Sequence, residues 1–493
     1  MYKHFTHIVC KFTFLLLFIF SAHLLPGKTG SYSQNILTQD TSLTNNDEGG
    51  KDVLVTIDKI FIVGNRQTKD KIILREMDVE EGDRLLLSDL HQILEQDKRK
   101  IMNTQLFLTV NISMIHLSSN HVDLIIRVVE RWYTIPSPYI RLADRNFNEW
   151  FTNQGMEWNR LEYGLRFFRY NFRGRNEKLY LYAQGGFTKQ FAFSYNMPYI
   201  DYAQKNGLVF RFSYAETNNI AYETRDHILR YTDTLRNSKQ IWMGSMGWTF
   251  RPSFYDLHAV NLYYYDKTIS DTIAALNPNY FNHGATRQRY FMLSYSYMND
   301  KRDFVGYPLN GQYWSVEIRK LGLGIFDDIN MLRLSGFYSR YMELGKGFYY
   351  AGTVKGYLST PQDQPYGNFI GFGYESIWPR GFELNVIEGQ SYLLQQNTLS
   401  FKILSQDLNL KKLIPLEQFN QIPIAIYLKT YYDHGFVSNT IDYEQSNRLS
   451  NQYLFGGGIG LDLVTYYDAV LRVEYSWNSD QQSGLRISAK TAF

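Results

Sequence analysis

Beyond its first 33 residues the chain has no run approaching the roughly 18 consecutive apolar residues that a membrane-spanning helix needs, yet 16% of it is aromatic. With 40 Tyr, 33 Phe and 8 Trp and a negative mean hydropathy, apolar residues must be interleaved with polar ones rather than gathered in blocks. Interleaving at a period of two marks a strand with two unlike faces. Such a chain folds as sheet. In a membrane it must do so as a closed barrel, because hydrocarbon offers no partner to an open backbone edge.

Sixteen alternating segments can be counted after residue 159. Eleven begin near Arg160, Glu177, Gln190, Gly207, Ala221, Lys239, Leu257, Gln288, Gly311, Ile329 and Gly347, and five more near Ser391, Pro423, Tyr453, Asp468 and Gly484. Each runs about 10–15 residues, enough to cross a hydrocarbon band at a tilt, and an even number closes a sheet without a mismatched pair. The later segments declare their faces. Ile424, Ile426, Leu428 and Tyr432 oppose Tyr427, Lys429, Tyr431 and Asp433; Leu471, Val473, Tyr475 and Trp477 oppose Arg472, Glu474 and Ser476. In the final segment Leu485, Ile487, Ala489 and Phe493 oppose Arg486, Ser488 and Lys490. Charges on one face, with Tyr and Trp toward strand ends, predict a 16-stranded antiparallel transmembrane β-barrel over residues 160–493.

Residues 1–33 read as an export signal: Lys3, His4 and Lys11 precede the apolar run from Phe12 to Phe20, and Ser31 and Ser33 offer small residues for cleavage. The lone Cys10 precedes that run, so the mature chain is expected to carry neither disulfide nor thiolate metal site. Residues 34–52 are polar and unpatterned, a flexible linker. Residues 53–132 predict a small β-α-α-β-β domain. Its first strand stops at the turn pair Gly64 and Asn65, Thr68 opens one helix, Ser88 caps the next, and two strands follow. Its sheet edges are templates for another extended chain. Residues 133–159, with Pro136 and Pro138, read as an irregular connector.

The segment Trp378 to Phe382, Trp-Pro-Arg-Gly-Phe, sits in a long unpatterned connection over residues 359–390, and connections of that length are usually functional or disordered. With the small domain in the periplasm, every connection after an odd-numbered strand lies outside the cell. This one follows the eleventh, so Arg380 belongs to an extracellular loop able to fold back into the barrel mouth. Asp433 lies on the inward face of the second strand beyond it. Gly456, Gly457 and Gly458 allow either bending or a loop packed against them.

Net charge is near zero, with 51 Lys plus Arg against 48 Asp plus Glu, which gives no nucleic-acid partner. His227, His258, His283 and His434 are scattered, and no nucleophile elbow or metal-spaced histidine set occurs, so neither enzyme chemistry nor a cofactor or metal is expected.

The order and spacing of several motifs resemble the BamA and TamA superfamily of outer-membrane assembly and translocation proteins, in which a POTRA domain precedes a bacterial surface antigen barrel. In the small domain these are Ile62-Val-Gly-Asn65 followed by Thr68, Gly82-Asp83, Leu106-Phe107 and Val129-Glu-Arg131; in the barrel they are Asp300-Lys-Arg302 with Pro308 and Gly311, Arg380-Gly-Phe382, Tyr431-Tyr-Asp-His-Gly435 and terminal Phe493. The resemblance implies that Arg380, carried by Gly381 and Phe382, enters the barrel and pairs with Asp433 beside Gly435 as a loop latch, through two parallel hydrogen bonds. Asp300, Arg302, Pro308 and Gly311 fix a periplasmic turn, and Phe493 marks the chain for assembly. The function implied is insertion or translocation of polypeptides, with client strands held by the POTRA sheet edge and passed to a seam between the first strand, near residues 160–172, and the last. The alternatives are a dedicated two-partner-type secretion transporter or a passive porin. The partners implied are unfolded or nascent outer-membrane polypeptides, outer-membrane lipid, and periplasmic chaperones or accessory lipoproteins.

Overall fold

In chain order the small domain comprises β1 (Leu54–Val63), α1 (Asp70–Leu74), β2 (Arg84–Leu86), α2 (Leu87–Asn103), β3 (Phe107–Ser118) and β4 (His121–Glu130). The computed structural model describes residues 53–490 except 119, 145–149, 152–154, 233–236, 327, 375–376, 410–420, 441–447 and 466–468. The expected signal peptide (1–33), linker (34–52) and terminal Phe493 lie outside the described residues.

The small sheet has the order β2-β1-β4-β3, with β1 parallel to β4. Alternation places Val55, Ile57, Val122, Leu124 and Ile126 on one face, where Ile72 and Ile73 of α1 and Leu90, Leu94 and Ile101 of α2 cover them. The three-residue β2 is an addition to the expected order. Neither Thr68 nor Ser88 caps a helix: the residues before α1 and α2 are Lys69 and Leu86, without side-chain caps. Thr68 is instead buried, its backbone N–H donating to Glu130 Oε1 at 2.7 Å and its hydroxyl accepting from Asn171 Nδ2 at 2.8 Å. Gly64 has φ +99°, and a Cβ there would lie 2.0 Å from Val128 O, so both conformation and space require glycine. Asn65 Nδ2 donates to Thr68 O and Asp70 Oδ1.

The large sheet is built from β5 (Thr134–Leu142), β6 (Leu161–Phe172), β7 (Glu177–Gly186), β8 (Thr188–Met197) and β9 (Asn206–Thr217). After the separate hairpin β10 (Ala221–Arg225) and β11 (Ile228–Tyr231), it continues with β12 (Lys239–Phe250), β13 (Asp256–Ile269), β14 (Arg287–Asp300), β15 (Gly311–Leu321), β16 (Met331–Gly345) and β17 (Phe348–Thr360). A second hairpin, β18 (Ile370–Phe372) and β19 (Ile387–Gly389), precedes β20 (Ser391–Asn409), β21 (Gln421–Ser438), β22 (Tyr453–Thr465), β23 (Ala469–Asn478) and β24 (Ser483–Lys490). Sixteen strands form one antiparallel sheet with β5 and β24 at its ends, and among the described residues no ladder joins those two.

Two corrections to the strand assignment offset one another. The stretch expected as an irregular connector contains β5, paired with β6 from Thr134↔Arg169 to Leu142↔Leu161; Pro136 and Pro138 conceal it, because proline is tolerated only where a strand edge needs no donor. The segment near Ala221 leaves the sheet and pairs with β11. The total and the parity of later connections therefore stand, but the sheet's first strand is β5, and residues 160–172 with Gly164 belong to the second.

Side chains on the large sheet sort by face. Leu428, Tyr432, Leu471, Val473, Tyr475 and Trp477 are exposed on the outer surface, while Lys429, Asp433, Asp462 and Glu474 are buried within. This inverts a soluble protein and is the pattern of a sheet whose outer solvent is hydrocarbon.

The small domain packs on the turns that follow β6, β8, β12 and β14. Lys69 N–H donates to Gly174 O at 3.0 Å, Tyr199 lies in the domain's core cluster, Arg251 spans Glu76 at 2.8 and 3.0 Å, and Asn103 Nδ2 reaches Arg302 O and Asp303 O.

Candidate functional site

Residues 361–390 connect β17 to β20, and their tip descends against the inner faces of β20 to β23. Gly381, at φ +99°, turns the chain after Arg380, and its own Cβ position lies 2.9 Å from Trp477 O. Phe382 is fully buried with Phe372, Trp378, Ile387, Leu394, Val437 and Leu454, an apolar plug at the loop's base. That burial fixes the backbone from which Arg380 projects.

Arg380 meets Asp433 by three donors: its backbone N–H at 2.9 Å and Nε at 2.8 Å go to Oδ2, and Nη2 goes to Oδ1 at 2.6 Å. Nη2 also reaches Thr398 Oγ1 at 3.0 Å, and Tyr431 lies under the guanidinium at 3.9 Å from ring centroid to Cζ. The Asp433 side chain has 0% exposure and that of Arg380 12%, so solvent screens the pair little and orientation is fixed along with distance. Gln396 Nε2, 3.3 Å from Asp433 Oδ2, occupies the carboxylate's remaining side.

Glycines make room for the loop. A Cβ at Gly435 would lie 2.5 Å from Phe372 and 2.7 Å from Pro379, and one at Gly456 would lie 2.0 Å from Arg380 O. Of the two explanations left open for the triple glycine, close approach of the loop accounts for Gly456. Asn478 Nδ2 then donates to Gly381 O at 2.6 Å.

Below the arginine runs a charge network that sequence reasoning did not assemble. Arg380 Nη1 is 4.0 Å from Glu474 Oε1; Lys429 Nζ lies 2.8 Å from Glu474 and 2.6 Å from Asp462; and Tyr307 OH donates to Asp462 Oδ2 at 3.1 Å. Tyr307 belongs to the turn between β14 and β15, on the side of the sheet that carries the small domain, and this turn curls inward so that Tyr307 and Pro308 line a polar cavity of about 410 Å³ together with Arg380, Lys429 and Glu474. The inward positions of Lys429 and Glu474 were legible from alternation. Their pairing was not, because it depends on register across β21, β22 and β23.

Asp300, Arg302 and Gly311 meet in that same turn. Arg302 Nε donates to Asp300 Oδ1 at 2.8 Å, its guanidinium lies 4.8 Å from the Tyr313 ring, and a Cβ on Gly311 would lie 2.1 Å from Lys301 O. Gly64 and Asn65 stand apart, in the small domain. On the opposite side of the sheet from that domain, three loops meet around His227: its Nδ1 faces Val386 O at 3.1 Å and its Nε2 accepts from Leu449 N–H at 2.9 Å. Burial lowers the imidazole's pKa from the ordinary histidine value.

Two family profiles match the sequence: the surface antigen variable number repeat, POTRA, over residues 55–131, and the Omp85 superfamily domain over residues 171–493. Among solved structures, BamA from Haemophilus ducreyi lacking POTRA domains 1-3 is similar over 88% of this chain and 85% of its own, at 15% identity and TM-score 0.51. CdiB from Escherichia coli is similar over 88% of this chain and 75% of its own, at 12% identity and TM-score 0.55. At such identities the likeness is one of fold. No curated protein matches. The superfamily profile spans well over half of the chain, and this chain therefore belongs to the Omp85 superfamily of outer-membrane proteins that insert or secrete polypeptides.

Proposed function

We propose that this protein receives extended polypeptides on the periplasmic side of the outer membrane and inserts or exports them at the strip between β5 and β24. The observation that carries this reading is a contrast within one sheet. The lumen holds the 361–390 loop, tied by Arg380 to Asp433, while the terminal strands share no ladder among the described residues. A polypeptide arriving from below meets an obstructed lumen and an unzipped edge. A passive porin has the opposite need, an open lumen and a sealed sheet. Edge strand β3 of the small domain exposes Ile115 and Leu117, a site where an incoming strand can add to the sheet by backbone pairing. Arg380, Gly381, Phe382, Asp433 and Gly435 act as the latch that keeps the loop in place. The partners are unfolded outer-membrane polypeptides and the lipid around the sheet; the work is transport and assembly, not covalent chemistry.

Depleting the protein and comparing the outer-membrane and secreted protein profiles tests this reading. Broad loss of barrel proteins marks a general insertase, and loss of a single exported product marks a dedicated two-partner-type exporter. Unchanged profiles in both fractions overturn the proposal.

A further inference from the structure

The outer wall of the large sheet has a trough where two glycines meet. Gly336 of β16 pairs with Gly356 of β17, and Val316 and Leu393 flank them in the same row of the ladder. Their neighbours along the strands, Leu334, Tyr338, Val354 and Leu358, are exposed on the lipid-facing surface, so both glycines face that way too. A Cβ at Gly336 would meet nothing within 4 Å, and one at Gly356 only Leu393 Cδ1 at 4.0 Å. Neither has a positive φ, and no register shift falls at either. Backbone geometry and packing therefore leave room for a side chain at both positions, although glycine weakens a strand interior. Where neither a bulge nor a bend accounts for it, glycine in a strand marks close approach by something outside the sheet.

The trough holds about 530 Å³ between Trp314, Tyr338, Val354 and Leu393, and continues past the glycines toward Leu358 and Phe436. Its two ends differ. One lies on the small domain's side, where Arg302 and Asp303, in the turn before β15, touch Asn103. Here Trp314 and Tyr338 face each other, an aromatic pair of the kind that marks the headgroup level. One row beyond them on the same face, Arg340 stands opposite Gln312. Arg340 is exposed, and its one hydrogen-bond partner among the described residues is Gln312 Oε1 at 3.4 Å, so most of its five donors are unused. The far end carries no charge: Leu334, Leu358, Ser391 and Phe436 line it. From Leu334 to Arg340 is about 20 Å of strand, which at the tilt of a barrel covers the depth of one leaflet, half of a ~30 Å hydrocarbon core.

We propose that this trough seats one glycerophospholipid of the leaflet on the small domain's side, its phosphate on Arg340 and one acyl chain laid over Gly336 and Gly356. An apolar channel with a single cation at one end matches an amphiphile with one anionic head. A second copy of this chain is disfavoured, because a two-fold axis along the membrane normal would set the two Arg340 guanidinium groups level with one another in the contact. The seat is independent of how clients are handled.

The test is native mass spectrometry of the full-length protein in detergent, titrated with phosphatidylglycerol or with diacylglycerol of the same chains. One phosphatidylglycerol is expected to stay bound, roughly tenfold more tightly than the diacylglycerol, the factor that one charged hydrogen bond supplies. Arg340→Gln is expected to erase that difference, whereas Gly336→Leu and Gly356→Leu, which fill the trough, should each weaken both lipids. Gly244→Leu is the control: Gly244 is another outward glycine with open space at its Cβ, set between Phe212 and Tyr264, and its substitution should change nothing. Heat-modifiable mobility on a gel checks that each variant is folded. Equal retention of the two lipids by the unsubstituted chain, or of neither, overturns the inference. So does retention that Arg340→Gln and the leucine variants leave unchanged, or that Gly244→Leu lowers as much as they do. A lipopolysaccharide carried through purification in place of a phospholipid overturns it as well, and disulfide-linked dimers of Gly336→Cys in the outer membrane would overturn it by giving the trough to a second copy.

Discussion

Arg380 has traded its hydration for three bonds to one carboxylate, a threonine hydroxyl and a tyrosine face. Removing either member of such a pair strands the other, at a cost of ~3–5 kcal/mol when both are buried. Arg380→Ala and Asp433→Ala are each expected to free the loop, read as faster proteolysis within residues 361–390, and the double variant to cost less than the two singles summed. Exchanging the charges should recover only part of the effect, because the backbone N–H of residue 380 would then face a cation. Gly456→Ala should reproduce Arg380→Ala although it removes no charge, since its Cβ would lie 2.0 Å from Arg380 O. Wild-type proteolysis in that variant would show that the loop relaxes around the methyl group and that Arg380 alone secures it. The arginine and its aspartate were legible in the sequence because a motif and an alternation parity converge on them. Lys429, Asp462 and Glu474 were not, since charges on one face of a strand say nothing of which cross-strand neighbour completes them.

At the scale of the element, the loops around His227 behave as one cap, because a single imidazole bonds to residues 386 and 449 from a third connection. Nε2 accepts, so Nδ1 carries the proton and the ring is neutral. Burial depresses its pKa, the Val386 carbonyl opposes that, Arg448 lowers it further, and Asp480 and Asp226 raise it. With the loops apart the ring takes up a proton near the ordinary value of about 6.5; packed, it resists protonation to lower pH. The open state then binds more protons in between, so cap stability is full above that value and falls as pH drops through it. The protection factor of the Leu449 amide, its exchange rate relative to an unstructured amide at the same pH, is expected to fall between pH 7.5 and 5, while His227→Gln, which can donate to one carbonyl and accept from one N–H, should flatten the profile. An unchanged slope in that variant would assign the pH dependence to another group. Elements also show where reading by pattern stops. Strand β5 has the outward residues of a sheet member, yet its two prolines argue against a strand until its position at the sheet's end is known. The Ala221 segment has the period of a strand and differs only in its partner, which is a tertiary fact.

For the whole molecule, the consequential distance is the short one between the two folded parts. Only Arg131, Trp132 and Tyr133 separate β4 from β5, and Tyr133 is itself buried in the small domain's core, its hydroxyl donating to Leu106 O at 2.9 Å. The strand bordering the seam is thus suspended from the domain that offers β3 to clients, and moving one displaces the other. A second tether, Glu76 with Arg251, holds the same domain to the turn after β12. Glu76 is 1% exposed, so Glu76→Gln leaves a poorly compensated guanidinium at a cost of up to ~3–5 kcal/mol. Inserting about six Gly and Ser residues after Arg131 makes the other connection a flexible coil of roughly 12–15 Å. Either change alone leaves the other connection and the contacts of Lys69, Tyr199 and Asn103 in place and is expected to reduce client delivery only modestly. Combined, they leave only the contacts of Lys69, Tyr199 and Asn103 with the turns and should cut delivery well below either change alone, while photo-cross-linking at Ile115 persists because the domain's own core remains intact. Delivery no lower in the combination than in either change alone would mean that the domain gathers clients without steering them, and that the short span to β5 serves only to join two folded parts.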